Sequence, residues 1–203
     1  ILDLAITNRY DNTVSVLLGV GDGTFLAKTD FATGVNPVSV AISDVNRDGK
    51  PDLSVANTGG PNITISTVSV LLGNGDGTFQ AGTEYTAGSN PIYVAVGDLN
   101  KDGKPDILAV NGPDGTVSIF LGAGDGTYGS KTDFSVGANP YAAAIVDMDG
   151  DGIPDLVVAK EQSSSIAVLS GVGDGSFGAI VDYPAGAGAI LLSLAIADLN
   201  GDG

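Results

Sequence analysis

A nine-residue acidic motif recurs along the chain at a nearly constant spacing. It reads DVNRDGKPD from Asp44, DLNKDGKPD from Asp98 and DMDGDGIPD from Asp147, and the last six residues, DLNGDG, begin a fourth copy. The first Asp falls at 44, 98, 147 and 198, so the intervals are 54, 49 and 51 residues. A period of this length indicates a repeat architecture in which each unit is one supersecondary structure.

Further motifs keep the same period. A glycine-rich heptad reads GVGDGTF from Gly19, GNGDGTF from Gly73, GAGDGTY from Gly122 and GVGDGSF from Gly171. An acid then precedes an aromatic residue in Asp30-Phe31, Glu84-Tyr85, Asp133-Phe134 and Asp182-Tyr183. Asn-Pro pairs begin at 36, 90 and 139, and AGAGAI replaces the pair in the last unit, which predicts another turn type there. Residues 57–67 carry about five extra residues, which predict a loop insertion.

The segments between these motifs predict an all-β fold. VSVAIS, DLSVAN, TVSVLLG and TFQAGTEY are short, alternate with period two and are rich in β-branched residues, and no stretch has a helical period. We therefore expect four antiparallel strands per unit of about 50 residues, and one domain over residues 1–203. Four-stranded sheets that stack radially form a β-propeller. A linear solenoid is the alternative, but its repeats are usually shorter.

The composition excludes several classes of protein. The chain has 24 acidic and only 8 basic residues, a net charge of -16, so a nucleic-acid partner is not expected. It has no Cys and no His, which excludes disulfides, thiolate or imidazole metal ligands and His-based catalysis. No apolar run reaches the roughly 18 residues that a membrane-spanning helix needs.

The acidic motif falls between the first two predicted strands of a unit and favours a calcium site. Asp or Asn at positions 1, 3 and 5, the carbonyl of position 7 and Asp at position 9 supply hard oxygen ligands, and Gly at position 6 allows a sharp bend. An EF-hand starts similarly but needs Glu at position 12, where this chain has Val55, Ala109 and Val158. The alternative is a plain turn, which suits Asp, Asn and Gly. That alternative does not explain an Asp that opens a strand at position 9, nor several carboxylates crowded without a cation.

The predicted ligands follow from these positions. They are Asp44, Asn46, Asp48, Lys50 and Asp52; Asp98, Asn100, Asp102, Lys104 and Asp106; Asp147, Asp149, Asp151, Ile153 and Asp155; and Asp198, Asn200 and Asp202 with Asp3. Lys50, Lys104 and Ile153 contribute backbone carbonyls. The GDG turns at Asp22, Asp76, Asp125 and Asp174 are predicted to be hairpin turns without metal, and the aromatic residue after each turn is predicted to pack between sheets.

The motif DVNRDGKPDLSVAN, followed by GNGDGTF, resembles the FG-GAP/VCBS repeat of integrin-type and bacterial secreted calcium-binding propellers. The resemblance covers essentially the whole chain. It implies Ca²⁺ in each loop between the first two strands of a blade, a secreted or cell-surface setting, usually seven blades, and a role in adhesion or ligand binding. Four units are fewer than seven blades, so the size of the ring stays open.

Three functional classes remain. The first is a calcium-rigidified extracellular scaffold or adhesion module with a protein or glycan partner on an exposed face of the propeller. The second is a lectin-like propeller, although the chain has no Trp and its repeated aromatic residues look structural. The third is an enzyme, which is not expected, because the only acids outside the repeat pattern are Asp11, Asp114 and Glu161, and solvated loops are their expected place. Asn62-Ile63-Thr64 also forms an N-glycosylation pattern.

The two ends of the chain continue one motif. Joined, they read DLNGDGILDLAITN, which places Asp3 at position 9 of the motif that begins at Asp198. We expect one unit to be split across the ends, in a closed four-bladed ring, in copies joined head to tail or in an excerpt of a longer array. The last two are favoured because open strand edges seek partners. Wherever the ends join, Asp3 is expected to meet Asp198, Asn200 and Asp202 around one Ca²⁺.

Overall fold

A computed structural model describes residues 1–60 and 65–201 of the chain, and the regular secondary structure of this part consists of β-strands alone. The strands are β1 (Leu4–Asn8), β2 (Thr13–Leu17), β3 (Thr29–Ala32), β4 (Pro37–Ser43), β5 (Asp52–Asn57), β6 (Thr67–Leu71), β7 (Thr83–Thr86), β8 (Pro91–Gly97), β9 (Asp106–Asn111), β10 (Thr116–Phe120), β11 (Thr132–Ser135), β12 (Pro140–Val146), β13 (Asp155–Lys160), β14 (Ser165–Leu169) and β15 (Val181–Pro184). The all-β prediction is confirmed. Asn62, Ile63 and Thr64 lie outside the described residues.

The strands form four antiparallel sheets, one for each repeat. The orders are β1-β2-β3, β4-β5-β6-β7, β8-β9-β10-β11 and β12-β13-β14-β15, and we call these sheets units 1 to 4. Unit 1 has three strands, so the expectation of four strands in every unit is wrong there. The fourth predicted segment is also shorter than expected, because regular pairing covers only the four residues of β7 and its counterparts. The earlier part of that segment closes the GDG turn that precedes it, through an isolated bridge between Phe79 and Gly73.

The strands differ in burial according to their place in the sheet. β5 and β9 are buried at all six positions, which explains their nearly continuous runs of Leu, Ile, Val and Ala. A strand that is covered on both faces loses the alternation of apolar and polar residues. The outer strands β3, β7 and β11 are short and mostly exposed, and they carry the acidic residue of the acid-aromatic pair.

The hydrophobic core lies between successive sheets. Val14 and Val16 of unit 1 pack with Leu53, Val55 and Leu71 of unit 2. Two more clusters fill the spaces between units 2 and 3 and between units 3 and 4 in the same way. The first strands of neighbouring units also lie side by side. Each sheet thus needs its neighbour to bury its faces, as expected for stacked repeats.

Aromatic pairs cross each of these interfaces. Phe31 packs edge-on against Phe79 of the next unit, with ring centroids 5.2 Å apart. Tyr85 and Tyr128 repeat this contact at 5.4 Å, and Phe134 and Phe177 repeat it at 5.2 Å. The prediction that the aromatic residue after each GDG turn packs between sheets is confirmed for Phe79, Tyr128 and Phe177. Phe25 of unit 1 is 41% exposed, so the prediction is wrong there.

The first sheet has an open edge. β1 pairs with β2 alone, whereas β5, β9 and β13 each also pair with the first strand of their unit. Residues 191–197 match those first strands in sequence but form no strand, and Leu192 and Ile196 of this segment are 51% and 40% exposed. Within the described residues, strand pairing therefore does not close the four sheets into a ring.

Candidate metal centres

Each complete acidic motif links the first strand of its unit to the second, as predicted. Residues 44–52 join β4 to β5, residues 98–106 join β8 to β9, and residues 147–155 join β12 to β13. We call these three segments the acidic loops. All three emerge at the same end of the stacked sheets, because equivalent strands of the units run in the same direction.

The acid at position 1 organises each loop through both of its oxygens. Asp98 accepts hydrogen bonds from the amides of Asp102 (3.1 Å to Oδ1) and Gly103 (2.9 Å to Oδ2). Asp44 does the same in the first loop at 3.0 and 2.8 Å. Asp147 holds the amides of Gly150 and Gly152, both at 2.8 Å. The loop backbone therefore wraps around this side chain.

The residues at positions 3 and 5 continue the winding. Asn100 Oδ1 accepts from the amide of Asp102 at 3.1 Å, and Asp102 Oδ1 accepts from the amide of Lys104 at 2.9 Å. The other two loops repeat both bonds. In the third loop, Asp147, Asp149 and Asp151 each offer an oxygen that lies within 4.8 Å of the other two. Asp155 does not belong to that group.

Backbone conformation accounts for two glycines of the motif. Position 6 has a positive φ in each loop, +77° at Gly103, so the predicted bend is present. Position 4 is also left-handed, with φ of +62° at Arg47, +61° at Lys101 and +78° at Gly150. This second left-handed position was not predicted from the sequence, although Gly at position 4 of the third and fourth copies was a signal for it.

The Asp at position 9 is buried and ties the loop to the rest of the unit. Asp106 is 0% exposed, and its Oδ2 accepts from the amide of Leu99 at 2.8 Å. Its Oδ1 accepts from the amide of Gly122 in the glycine-rich heptad, also at 2.8 Å. Burial raises the pKa of Asp106 above its usual value, and the two amide bonds only partly offset that rise. Burial raises the pKa of Asp52 in the same way, and hydrogen bonds from three backbone amides only partly offset that rise.

Lysine at position 7 meets the acid at position 5. Lys104 Nζ lies 3.1 Å from Asp102, and Lys50 Nζ lies 3.6 Å from Asp48. Loss of solvent around the Asp102 carboxylate raises its pKa, but hydrogen bonds from Lys104 and Asn100 outweigh that effect, so the pKa falls below the usual value. The predicted role of the Lys50, Lys104 and Ile153 carbonyls as ligands stays a prediction.

The split fourth motif has the same internal bonds as far as the structure describes it. Asp3 Oδ1 accepts from the amide of Gly19 at 2.8 Å, which is the bond made by every Asp at position 9. Asp198 Oδ1 accepts from the amide of Gly201 at 2.7 Å. Asp202 lies outside the described residues. The meeting of Asp3 with Asp198 and Asn200 around one ion stays a prediction.

The donor set of the acidic loops fits a hard divalent cation. Each loop gathers carboxylate and amide oxygens in a wound turn, and an ionised carboxylate has about four lone-pair sites, so one amide bond leaves acceptor capacity. Ca²⁺ takes 6–8 oxygen ligands in flexible geometry. Three carboxylates converge in the third loop, and this arrangement repels itself without a cation.

The GDG turns are hairpin turns, as predicted. Gly73 bridges to Phe79, and Asp76 Oδ1 accepts from both the hydroxyl (2.6 Å) and the amide (2.9 Å) of Thr78. Asp22, Asp125 and Asp174 make the same pair of bonds to the residue two positions on. These carboxylates therefore brace a turn.

The acids outside the repeat pattern lie at the opposite end of the sheets from the acidic loops. Asp11, Asp114 and Glu161 are in the connections that follow β1, β9 and β13, so each belongs to a different unit. Asp11 and Asp114 are exposed as expected, and Glu161 is half-buried. The neighbouring Lys160 is almost fully buried and pairs with Asp182 at 2.5 Å. Nothing in the sequence pattern had indicated that ion pair.

The fold and the acidic loops define a propeller-like array of β repeats, each of which joins its first two strands through an acidic loop. Sequence comparison agrees, because the profile of the FG-GAP-like repeat matches residues 1–55, 44–109, 102–158 and 147–203. The chain belongs to the FG-GAP-like repeat family. The described part of the chain holds no helix that is long and apolar enough to cross a membrane.

Structural comparison finds solved proteins that are similar to this chain to different degrees. A functionally unknown protein from Desulfotomaculum acetoxidans aligns with a TM-score of 0.62 at 15% identity, over 88% of this chain and 52% of that one. A protein of unknown function from Bacteroides caccae aligns with a TM-score of 0.50 at 16% identity, over 85% of this chain and 58% of that one. A lectin from Agrocybe aegerita aligns with a TM-score of 0.44 at 18% identity, over 84% of this chain and 60% of that one. This chain thus spans between half and two thirds of each of these structures. No curated protein matches the sequence.

Proposed function

We propose that this protein is a calcium-binding extracellular scaffold whose ions rigidify the acidic loops of a β-propeller. The observation that carries the proposal is the convergence of Asp147, Asp149 and Asp151 in a loop that two further units repeat with Asn at position 3. The residues that would hold the ions are the predicted ligands of the three complete loops. Bound Ca²⁺ would neutralise the crowded carboxylates.

The setting and the partner follow from the same features. FG-GAP repeats are typical of extracellular proteins, where calcium sites with dissociation constants of about 10⁻⁴ to 10⁻³ M are filled. Partners would bind the end of the sheets opposite the acidic loops, where the connections differ most between units. Asp11, Asp114 and Glu161 lie there on three separate units. This separation favours a binding role over an acid-base enzyme, which needs two convergent carboxyl groups.

Calcium titration of the chelator-stripped protein tests the proposal. We expect at least one ion for each of the three complete loops, and a fall in melting temperature when chelator removes them. When the free Ca²⁺ concentration is a hundred times the dissociation constant of a site, binding there adds about 2.7 kcal/mol to the free energy of unfolding. Asp102→Ala should remove one ion and leave the others bound.

The matched control is Asp125→Ala, which removes one carboxylate from a GDG turn of the same unit. It should leave the number of bound ions unchanged. The same concentration of Mg²⁺ should not restore the melting temperature as Ca²⁺ does, because Mg²⁺ requires near-ideal octahedral geometry. An unchanged melting temperature with and without chelator would contradict the proposal.

The open edge of β1 supports a second role as a subunit that joins head to tail. β1 is paired on one side only, and Leu4 and Ile6 are 43% and 47% exposed. Residues 191–197 match the first strands β4, β8 and β12 in sequence and form no strand. In a second copy, this segment would complete the sheet and bring Asp198 and Asn200 to Asp3. Light scattering over a concentration series should then show species whose size grows with concentration. Leu194→Pro should suppress them, because proline has no backbone N–H to donate to the neighbouring strand.

A further inference from the structure

The outer strand of each unit carries one acid that faces the neighbouring strand, and three of these four acids are paired with lysine. Asp30 pairs with Lys28 at 2.5 Å, and Asp133 pairs with Lys131 two residues earlier in the same manner. Asp182 pairs with Lys160, whose side chain is only 4% exposed. In unit 2 the acid is Glu84, and no Lys or Arg among the described residues lies within 4.0 Å of it.

Both lysine positions are replaced in unit 2. Gly82 stands where units 1 and 3 have Lys28 and Lys131, and Asn57 stands where unit 4 has Lys160. Lys160 shows that this place in the fold accepts an ammonium group. Its Nζ lies beside Gly137, just as Asn57 Nδ2 lies beside the equivalent Gly34. Unit 2 is therefore the unit that has the anion but lacks the cation.

A cavity opens next to this acid. Its volume is about 230 Å³, and its lining includes Gly34, Asn57, Gly59, Thr67 and Glu84. It lies at the end of the sheets opposite the acidic loops. A volume below the roughly 300–1,000 Å³ of pockets for drug-sized ligands suits a single functional group with a short alkyl stem.

Glu84 is the charged group at the cavity, and it is incompletely paired. Glu84 Oε2 accepts from the Thr67 hydroxyl at 2.9 Å, which leaves acceptor capacity on the carboxylate. Asn57 Oδ1 is buried and has no hydrogen-bond partner in the described part of the chain, as is also true of Asn111 Oδ1. An ammonium group carries three donors and no acceptor. It matches the remaining acceptor capacity of Glu84 and supplies the missing positive charge.

We propose that this cavity binds the primary ammonium group of an alkylamine, such as a lysine side chain, with Glu84 as its anionic partner. The site goes beyond the calcium-binding role and does not depend on it, because it involves no residue of the acidic loops. It assigns a ligand chemistry to the face of the propeller that calcium leaves free.

Titration with Nα-acetyl-lysine methylamide, followed by NMR with calcium present at about 0.15 M salt to screen distant charges, tests the proposal. The wild-type protein should bind this probe saturably, and its shifts should centre on Glu84 and Thr67. The neutral norleucine analogue should not bind. Glu84→Gln should weaken binding by about tenfold or more, because it removes a charge-assisted hydrogen bond.

Two further variants separate the site from general attraction to an acidic protein. Gly82→Lys restores the lysine of units 1 and 3 and should abolish binding. A Cβ at Gly82 would come no closer than 3.4 Å to Leu71, so the fold should tolerate it. Asp30→Asn removes the equivalent, already paired acid and should leave binding unchanged. No saturable binding, or equal losses in Glu84→Gln and Asp30→Asn, would overturn the proposal, whatever the calcium titration shows.

Discussion

Asp106 Oδ1 accepts a hydrogen bond from the backbone amide of Gly122 at 2.8 Å, and this bond joins the acidic motif to the glycine-rich heptad of the same unit. Asp52 and Gly73 make the bond at 2.7 Å, and Asp155 and Gly171 make it at 2.8 Å. Space is also restricted there, because a Cβ on Gly122 would lie 2.1 Å from the carbonyl oxygen of Pro105. The contact explains why the two motifs keep one period along the sequence.

We predict that Asp106→Asn destabilises the protein even without calcium. The Asn amide group would turn a donor toward the amide of either Leu99 or Gly122, which leaves a buried donor unpaired. Such a loss costs about 1–3 kcal/mol, and we expect about 1–2 kcal/mol because neutral Asn is cheaper to bury than a carboxylate. Urea unfolding in chelator measures the change.

The control for this prediction is Asp102→Asn in the same chelator buffer. Asp102 is exposed, and Asn keeps an oxygen for the Lys104 amide, so the expected change stays within about 0.5 kcal/mol. If Asp106→Asn unfolds at the same urea concentration as the wild-type protein, the bond to Gly122 does not stabilise the fold.

The repeat period predicted most of the fold and the place of the acidic loops. Strand alternation and glycine spacing are local signals, so β5, β9 and the GDG turns could be located from sequence. The second role of Asp at position 9 could not, because Asp106 and Gly122 are sixteen residues apart and meet only when the strands pair. The missing strand of unit 1 likewise depends on pairing between segments that are remote in sequence.

The ion pair of Lys160 shows a second limit of the sequence pattern. Lys160 replaces the Asn of the other units, and Ala167 replaces their Ser, so two departures from the repeat compensate each other across β13 and β14. Each change alone looks like drift. Only the neighbouring strand, with Asp182 opposite Ala167, shows why both occur together.

We predict that Tyr128→Phe stabilises the protein. The hydroxyl of Tyr128 is buried without a hydrogen-bond partner in the described residues, and burial raises its pKa far above the usual value. Phe stands at this position in the other three units. Removing an unsatisfied buried hydroxyl should raise the free energy of unfolding by about 1 kcal/mol. Phe79→Tyr is the reverse change in unit 2 and serves as the control. A loss of stability in Tyr128→Phe would mean that the Tyr128 hydroxyl has a hydrogen-bond partner.

We predict that Asp76 makes stability depend on pH at the acidic end. Its hydrogen bonds from the Thr78 hydroxyl and then the Thr78 amide lower the pKa of Asp76, against a smaller opposing effect of burial. Because the pKa of Asp76 is lower in the native state than in the unfolded chain, its ionised carboxylate stabilises the fold. This stabilisation is complete above the unfolded pKa of about 3.9 and is lost as the pH falls through the native pKa. Carboxyl NMR should show Asp76 titrating below about 3.9. Asp76→Asn should flatten the acid-side decline in stability, and a titration midpoint above the unfolded value would reverse the sign.

We predict opposite effects on stability for two changes at left-handed positions of one acidic loop. Gly103 has φ of +77° and no heavy atom within 4 Å of a Cβ built there, so Gly103→Ala tests backbone conformation alone. The left-handed conformation should cost Ala about 1–2 kcal/mol. Lys101 already has φ of +61°, so Lys101→Gly should stabilise the fold by relieving that strain. The greater freedom of glycine in the unfolded chain offsets about 0.5–1 kcal/mol of this gain. Lys101→Ala removes the same side chain without relieving the strain and is the matched control. Urea unfolding in chelator should therefore find Lys101→Gly more stable than Lys101→Ala. It should find Gly103→Ala less stable than the wild-type protein. Equal stability of the two Lys101 variants would show that the loop stores no backbone strain at that position.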